Sequence, residues 1–501
     1  MKRLICALFA LIMAMSACVT VYAADTVKID MDTTYQTIDG FGAAYTWYSE
    51  RLLNHNNKEA LLDEIFINCN FNIMRFIHLQ ENKTRPTTME SYKEYYDAAV
   101  ERGIDPLILI THCGAYVTGY EFSEFVRDIY SGTTFYALKK DENGEYMYDV
   151  FAEHCVNAVK EFLDVGIPVH YFTFANEVEH QEKKYQPGED PLEYSSFFWG
   201  TEEDEYHPAY WKAHAAIYEA FEREFGEDAP EILGAEAMNG SVNILAPYLD
   251  PLIQNHPDML KTVAFHLYGT NRTEATFAAV DEHFEEYGLW QTEWCSDDYF
   301  DNAETIIDEL NHNLNAYLYW NGVWAPDLGM CLIEFPSNSA DTEVAFNGSH
   351  YMMMHFSKFI DRGYQRVELT EELGSKMVAF KAPDDSRLVI VALNNTDNGE
   401  NFTVDLDGRE IISSQIYQST EADNRFRNEY WTDLGIYTES LGVDIPAGTL
   451  TTIVLDFVEP VMKPTNSNAL LWIVACVSAA IIVLGIVVIV ITLKKPTDKN
   501  N

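Results

Sequence analysis

Two glutamates in this 501-residue chain stand directly after short apolar runs. His170–Ala175 leads into Asn176-Glu177, and Leu289–Thr292 leads into Glu293. A carboxylic acid and a carboxylate that face each other can cleave an acetal. One protonates the leaving oxygen while the other attacks the carbon or activates water. A gap of ~5–5.5 Å allows direct attack, whereas ~6.5–9.5 Å leaves room for water. A lone glutamate at a strand end is more often a surface or ion-paired residue. Two at equivalent strand ends are the stronger signal. Sugar faces stack on aromatic rings, so Trp47, Trp290, Trp320 and Trp324 are candidate cleft residues, although most aromatics are core. Trp320 leads them because it closes the last apolar run of the series below. His266 and His112 also end apolar runs and read as hydrogen-bonding walls. No metal-ligand spacing surrounds them, so neither a metal nor a cofactor is expected.

Such residues must be held by a scaffold that gathers strand ends. Eight apolar runs bounded by breakers have the length of buried parallel strands: Ile38–Ala43, Ile73–His78, Leu107–Thr111, His170–Ala175, Ile232–Ala235, Val263–Tyr268, Leu289–Thr292 and Ala316–Trp320. Helical patterns lie between them. In Val150–Val165, the side chains of Phe151, Cys155, Val159 and Phe162 fall on one face; Gly166 stops the helix and Pro168 prevents its continuation. Ser91–Glu101 ends at Gly103 in the same way. Eight strands alternating with helices predict an α/β fold, a (β/α)8 TIM barrel over 39–364, whose strand C-termini converge on one catalytic face. A doubly wound open sheet is the rival, but no G-x-G-x-x-G fingerprint is present. Residues 181–208 read as a charged, aromatic barrel loop.

Beyond Gly363 the period changes to two. Arg387–Asn394, Asn401–Leu406, Ile411–Tyr417 and Thr451–Phe457 read as strands of an antiparallel β-sandwich packed beside the barrel. Val27–Met31 joins it, so the sandwich takes 24–38 with 365–460. The ends read as targeting segments. Lys2-Arg3, an apolar run and Val21-Tyr22-Ala23 form a signal peptide over 1–23, with Met15–Cys18 as a competing lipobox. A polar linker, 461–468, leads to the charge-free run 469–493. That run is long enough for a single transmembrane helix, and Lys494-Lys495 in the 494–501 tail marks the cytoplasmic side. The expected location is therefore the cell surface, anchored in the plasma membrane with the catalytic domain outside, as a monomer.

Lys plus Arg number 33 against 79 Asp plus Glu, a formal charge of −46. Five of the six charges in the two terminal segments are basic, so the remainder is more acidic still. Such a field repels polyphosphates and argues against nucleic acid as a partner. Five cysteines lie between those segments: Cys69, Cys113, Cys155, Cys295 and Cys331. An odd number leaves at least one thiol unpaired within a monomer.

Five segments together carry a specific resemblance: Tyr35–Ala43 (YQTIDGFGA), Phe174–Glu177 (FANE), His266–Thr270 (HLYGT), Leu289–Glu293 (LWQTE) and His355–Tyr364 (HFSKFIDRGY). The chain resembles glycoside hydrolase family 30, in the retaining clan A, and is most similar to its glucuronoxylanase and endo-xylanase branch. The resemblance implies Glu177 as acid/base and Glu293 as nucleophile, acting on a xylan-type β-1,4-linked polysaccharide by double displacement. Arg75 is placed to supply positive charge to Glu293, and Tyr268 to donate its hydroxyl proton there. Asn176 is placed to hold a sugar 2-hydroxyl, where hydrogen bonds strengthen toward the transition state. His266, Trp320 and Trp47 complete the expected substrate wall. The glucuronoxylan-specific members are similar in using an arginine just past the eighth strand as a carboxylate clamp; here Ala316–Asp327 contains none. A neutral or sparsely decorated xylan is the expected substrate, with β-1,6-glucan or exo action on short oligosaccharides as alternatives. From another class, a non-catalytic surface glycan-binding protein is the rival, and it has no need of both glutamates.

Overall fold

A computed structural model describes residues 25–457, apart from 47, 79–87, 113–122, 128–133, 139, 180–198, 206, 297, 325–330, 336–343, 371–375, 421–428 and 438–441. The signal peptide, the linker and the apolar run 469–493 lie outside these residues, as do Cys113, Trp47 and most of the 181–208 loop. Among the described residues no helix is long and apolar enough to cross a membrane.

Strand β1 (Asp25–Thr37) comes first among the described residues, and a nearly closed parallel barrel follows. Its strands are β2 (Gly40–Ala44), β3 (Ile73–His78), β4 (Leu107–His112), β5 (Tyr171–Thr173), β6 (Glu231–Ile232), β7 (Gly234–Ala237), β8 (Thr262–His266), β9 (Gly288–Trp294) and β10 (Leu314–Tyr319). The order around the sheet is β6-β5-β4-β3-β2-β10-β9-β8-β7. β6 pairs with β5 and β7 pairs with β8, while Leu233 alone separates β6 from β7. The two are halves of one stave, and through it the ladder returns to its start. The apolar run at Ile232–Ala235 is thus extended and interrupted. Of the other seven runs, Ile73–His78 is a strand with the same bounds, and the rest are strands whose ends shift by no more than two residues.

Helices follow as the breakers foretold. Tyr148–Asp164 buries Phe151, Cys155, Val159 and Phe162. Gly166 then takes a left-handed φ of 80°, and the Ile167 amide returns to the Phe162 carbonyl at 2.9 Å, the Schellman closure that a glycine there permits. Trp290 is not a cleft residue. It is fully buried against Ile73, Leu109, Leu233, Ala264, Ala316 and Leu318, and its indole nitrogen donates to Asp39 Oδ2 at 2.8 Å. Asp39 immediately precedes β2, so Trp290 plugs the barrel at the N-terminal end of its strands. Its side chain takes an inward-facing position of the strand, where the barrel interior is filled by side chains.

The second sheet also has nine strands: β1 with β11 (Gln365–Thr370), β12 (Lys376–Lys381), β13 (Arg387–Asn394), β14 (Glu400–Asp405), β15 (Ser413–Thr420), β16 (Glu429–Tyr437), β17 (Gly442–Ile445) and β18 (Thr449–Asp456). Their order is β16-β15-β18-β13-β12-β11-β1-β14-β17. They form one continuous hydrogen-bonded ladder. Its far strand β17 folds back over the other end, where the Gln418 amide donates to the Asp444 carbonyl at 2.7 Å and the Asn394 amide to the Ile445 carbonyl at 3.0 Å. Val27, Ile29, Ile390, Phe402, Val443 and Ile453 fill the space between. His355, in the helix Gly348–Ser357, joins this sheet to the barrel layer. Its ring bonds Thr452 Oγ1 at 2.8 Å and Ser419 Oγ at 2.7 Å.

Candidate active site

The barrel strands bring together Arg75 from the middle of β3 and, from the C-terminal halves of their strands, Thr111 of β4, Thr173 of β5, Glu236 of β7, His266 of β8 and Glu293 of β9. Asn176 and Glu177 follow β5. Two irregularities aim the carboxylates. The β8–β9 register shifts between Phe265 and His266, which sets His266 opposite Glu293 rather than Thr292. The β7–β8 register shifts at Glu236, whose φ is 53°. Bulges of this kind redirect a side chain that an ideal pleat would send elsewhere. Glu177 also has a left-handed φ, 56°, and its amide is held on the Glu236 carbonyl at 2.8 Å. Positive φ at a non-glycine residue costs on the order of 1 kcal/mol and collects at functional sites. Glu179 fastens the same region, accepting the Met238 and Asn239 amides at 2.9 and 2.6 Å.

Arg75 is the hub. It is 2 % exposed, and its guanidinium spends its donors on four partners: Glu293 Oε2 at 2.6 Å, Asn176 Oδ1 at 2.7 Å, Glu236 Oε1 at 3.1 Å and Thr111 Oγ1 at 2.9 Å. A buried guanidinium is tolerable only with this degree of pairing. The guanidinium also lies 5.9 Å from the Trp320 ring centroid, and Trp320 packs on Trp324 at 5.8 Å. Trp320 remains partly exposed just past β10, unlike Trp290.

His266 sits among three carboxylates: its Nδ1 is 3.3 Å from Glu177 Oε1, and its Nε2 is 3.8 Å from Glu236 and 3.9 Å from Glu293. Burial opposes its protonation, but Glu293, Glu177 and Glu236 outweigh that and hold its pKa at about 9. The imidazole is therefore a cation at neutral pH. Burial pushes the Glu293 carboxyl up; His266 and Arg75 pull it back, and Glu177 adds to the rise. For Glu236 burial is likewise the largest influence, but Arg75 and His266 overcome it and hold the carboxyl below its usual range. Thr173 Oγ1 donates to Glu236 at 2.5 Å. Oxygen and nitrogen atoms of Glu177, His266 and Glu293 lie within 4.8 Å of one another. Within this set Glu293 is already paired with the Arg75 guanidinium.

The sequence-derived residues thus divide. Glu177, Glu293, Asn176, Arg75 and His266 meet in one cluster, with Trp320 at its edge. Tyr268 lies next to it, but its hydroxyl contacts Cys295 Sγ at 3.8 Å and makes no hydrogen bond with Glu293. Burial raises the Tyr268 phenol well above its normal range, so it stays a neutral donor. His112 is fully buried behind the cluster and bonds the His78 ring at 2.9 Å. Glu236 was missed. The signal was a carboxylate inside a run of alanines and glycine (GAEA) in a strand with no exposed face.

No family model matches the chain. Among curated proteins, a glucuronoxylanase, XynC, of Bacillus subtilis (strain 168) is 22 % identical over 460 residues, covering 87 % of this chain and 93 % of that protein. The chain is similar to this glucuronoxylanase over most of its length. Among solved structures, the catalytic domain of the family 30 xylanase C from Talaromyces cellulolyticus superposes with a TM-score of 0.64 at 16 % identity, over 86 % of this chain and 100 % of that one. A family 30 endoxylanase from Clostridium papyrosolvens C71 gives 0.63 at 17 % identity, with the same coverage. An endo-β1,6-glucanase, BT3312, also gives 0.63, at 15 % identity, over 86 % of this chain and 94 % of that one. At these identities the structural likenesses speak for the fold. Taken with the curated relative, they support a family 30 assignment near its xylanase branch, and with it a glycoside hydrolase.

Proposed function

We propose that this family 30 relative is a retaining endo-β-glycanase that hydrolyses xylan-type β-1,4-linked polysaccharide. The observation that carries the reading is the meeting of Glu177 and Glu293 around His266, with oxygens of the two carboxyls no more than 4.8 Å apart. So close an approach favours direct attack over the wider, water-mediated arrangement. Glu293 attacks the anomeric carbon while Glu177 passes its proton to the leaving oxygen. Water, deprotonated by Glu177, then breaks the glycosyl ester. Arg75 at 2.6 Å favours charge on Glu293, and His266 lies 3.3 Å from Glu177 Oε1. Asn176, oriented by Arg75, binds the 2-hydroxyl, and Trp320 stacks on a sugar face. With a signal peptide and the run 469–493 as anchor, the enzyme works at the cell surface.

The second reading is a β-1,6-glucanase. It is favoured by the lack of an arginine in Ala316–Asp327 and by the likeness to a β1,6-glucanase structure. A panel of β-glycans digested with wild type and with Glu293→Gln tests both. Wild type should release oligosaccharides from unbranched xylan, and the variant should lose several orders of magnitude in rate, because the covalent route is gone. Unaltered sugar release by Glu293→Gln overturns the assignment. Release from β-1,6-glucan alone selects the second reading, and single sugars alone indicate exo action.

A further inference from the structure

Away from the catalytic cluster, Glu64, Cys69 and His350 direct an oxygen, a sulfur and a nitrogen at one point, all within 4.8 Å of each other. His350 Nε2 is 3.0 Å from Glu64 Oε1 and 3.6 Å from Cys69 Sγ. Cys69 and His350 are buried, and Glu64 keeps 22 % of its side chain exposed. The local backbone explains the convergence. Glu64–Asn68 is a single π-helical turn, closed by the Cys69 amide on the Glu64 carbonyl at 2.9 Å. In an α-helix residues five apart point about 140° away from each other. The wider turn brings them onto one face, and π turns collect at functional sites. The Asn68 amide holds Glu64 Oε2 at 2.5 Å and leaves Oε1 for the cluster, the kind of outer support that orients ligands.

The geometry points to a site for one thiophilic divalent cation of the zinc class, held by Glu64, Cys69 and His350. A tetrahedron built with ordinary zinc bond lengths has an N···O edge of about 3.3 Å and an S···N edge of about 3.5 Å. The observed 3.0 and 3.6 Å lie close to both. The third edge, between the Cys69 sulfur and Glu64, lies within 4.8 Å. Binding replaces the Cys69 S–H bond with a sulfur–metal bond and releases the proton to water. The fourth position is left for water. Bound there, the ion ties the segment before β3 to the helix Gly348–Ser357, and so to the helix that carries the barrel–sheet joint. This site does not depend on the catalytic reading.

The dialysed full-length chain is titrated with Co²⁺, a coloured substitute for Zn²⁺. The expected result is a near-ultraviolet thiolate-to-cobalt absorption that saturates at one equivalent and vanishes when Zn²⁺ is added. Cys69→Ser should abolish it, while Cys331→Ser, at a buried free thiol elsewhere, should leave it intact. No absorption in the wild type, or absorption that survives Cys69→Ser, overturns the site. If Cys69→Ser does not fold, Glu64→Gln decides: saturation should move to higher cobalt concentration, and an unchanged titration overturns the three-ligand set.

Discussion

Glu177, Glu236 and Glu293 are one residue type in three surroundings: Arg75 pairs with Glu236 and Glu293, and His266 stands among all three. Glu236 is enclosed and paired to Arg75 and Thr173, which suits a residue that keeps its charge and positions others. Glu293 shares Arg75 but retains slight access to the cleft. His266 balances the excess negative charge, and its state can be read from stability. Its pKa of about 9 lies above the unfolded value of ~6.5, so its contribution is complete below that value and is lost as pH rises through 9. The loss is on the order of 3 kcal/mol. Urea unfolding across this window should show wild type weakening with pH and His266→Gln responding much less. Equal slopes for the two proteins would contradict a charged imidazole.

At the scale of elements, glycines that look alike in the sequence have unequal roles. Gly42 lies where β2 meets β3, and a Cβ there would be 1.9 Å from the Ile73 carbonyl oxygen. Gly166 has only the end of the Lys93 side chain nearby, and its requirement is its φ of 80°. Gly166→Ala should therefore lower stability by ~1–2 kcal/mol, the usual cost of a left-handed non-glycine residue. Gly42→Ala must push neighbouring staves of the barrel away from each other and should cost several-fold more or prevent folding. Melting temperatures of the two variants check the order; near-equal values would refute it. Phe162, on the buried face of the helix that Gly166 ends, belongs to the same scale: truncation to alanine should cost ~3–5 kcal/mol in the same assay.

Across the whole molecule, the HFSKFIDRGY segment has its explanation in joining barrel to sheet. His355 spans the two through Thr452 and Ser419, Trp431 packs edge-on to it at 5.0 Å, and the Gly363 amide returns to the Ile38 carbonyl at 2.8 Å. Burial depresses the His355 pKa to about 3. Its folded value lies below the unfolded one, so its contribution is whole above ~6.5 and is eroded as pH falls toward 3. Acid should therefore loosen this joint. A His355→Gln variant should start less stable at neutral pH and lose less on acidification, as melting curves from neutral to mildly acidic pH will show. Parallel losses in both proteins would remove His355 from the cause.

Much of this protein follows from local rules. Apolar runs of strand length, glycine stops after helices and the switch to period two were legible because each depends on a few neighbouring residues. Glu177 and Glu293 were legible because each directly follows such a run. What needed the tertiary structure was every property set by a partner distant in the chain. Glu236 became a member of the site through a bulge, and bulges depend on the register of the next strand. Trp290 became a plug, although its sequence surroundings match those of a cleft residue, because parallel strands bury both faces and periodicity cannot tell inside from top. Tyr268 met Cys295 and not Glu293, and the split stave Glu231–Ala237 closed the barrel, for the same reason: pairing across strands is a long-range choice that no window of sequence contains.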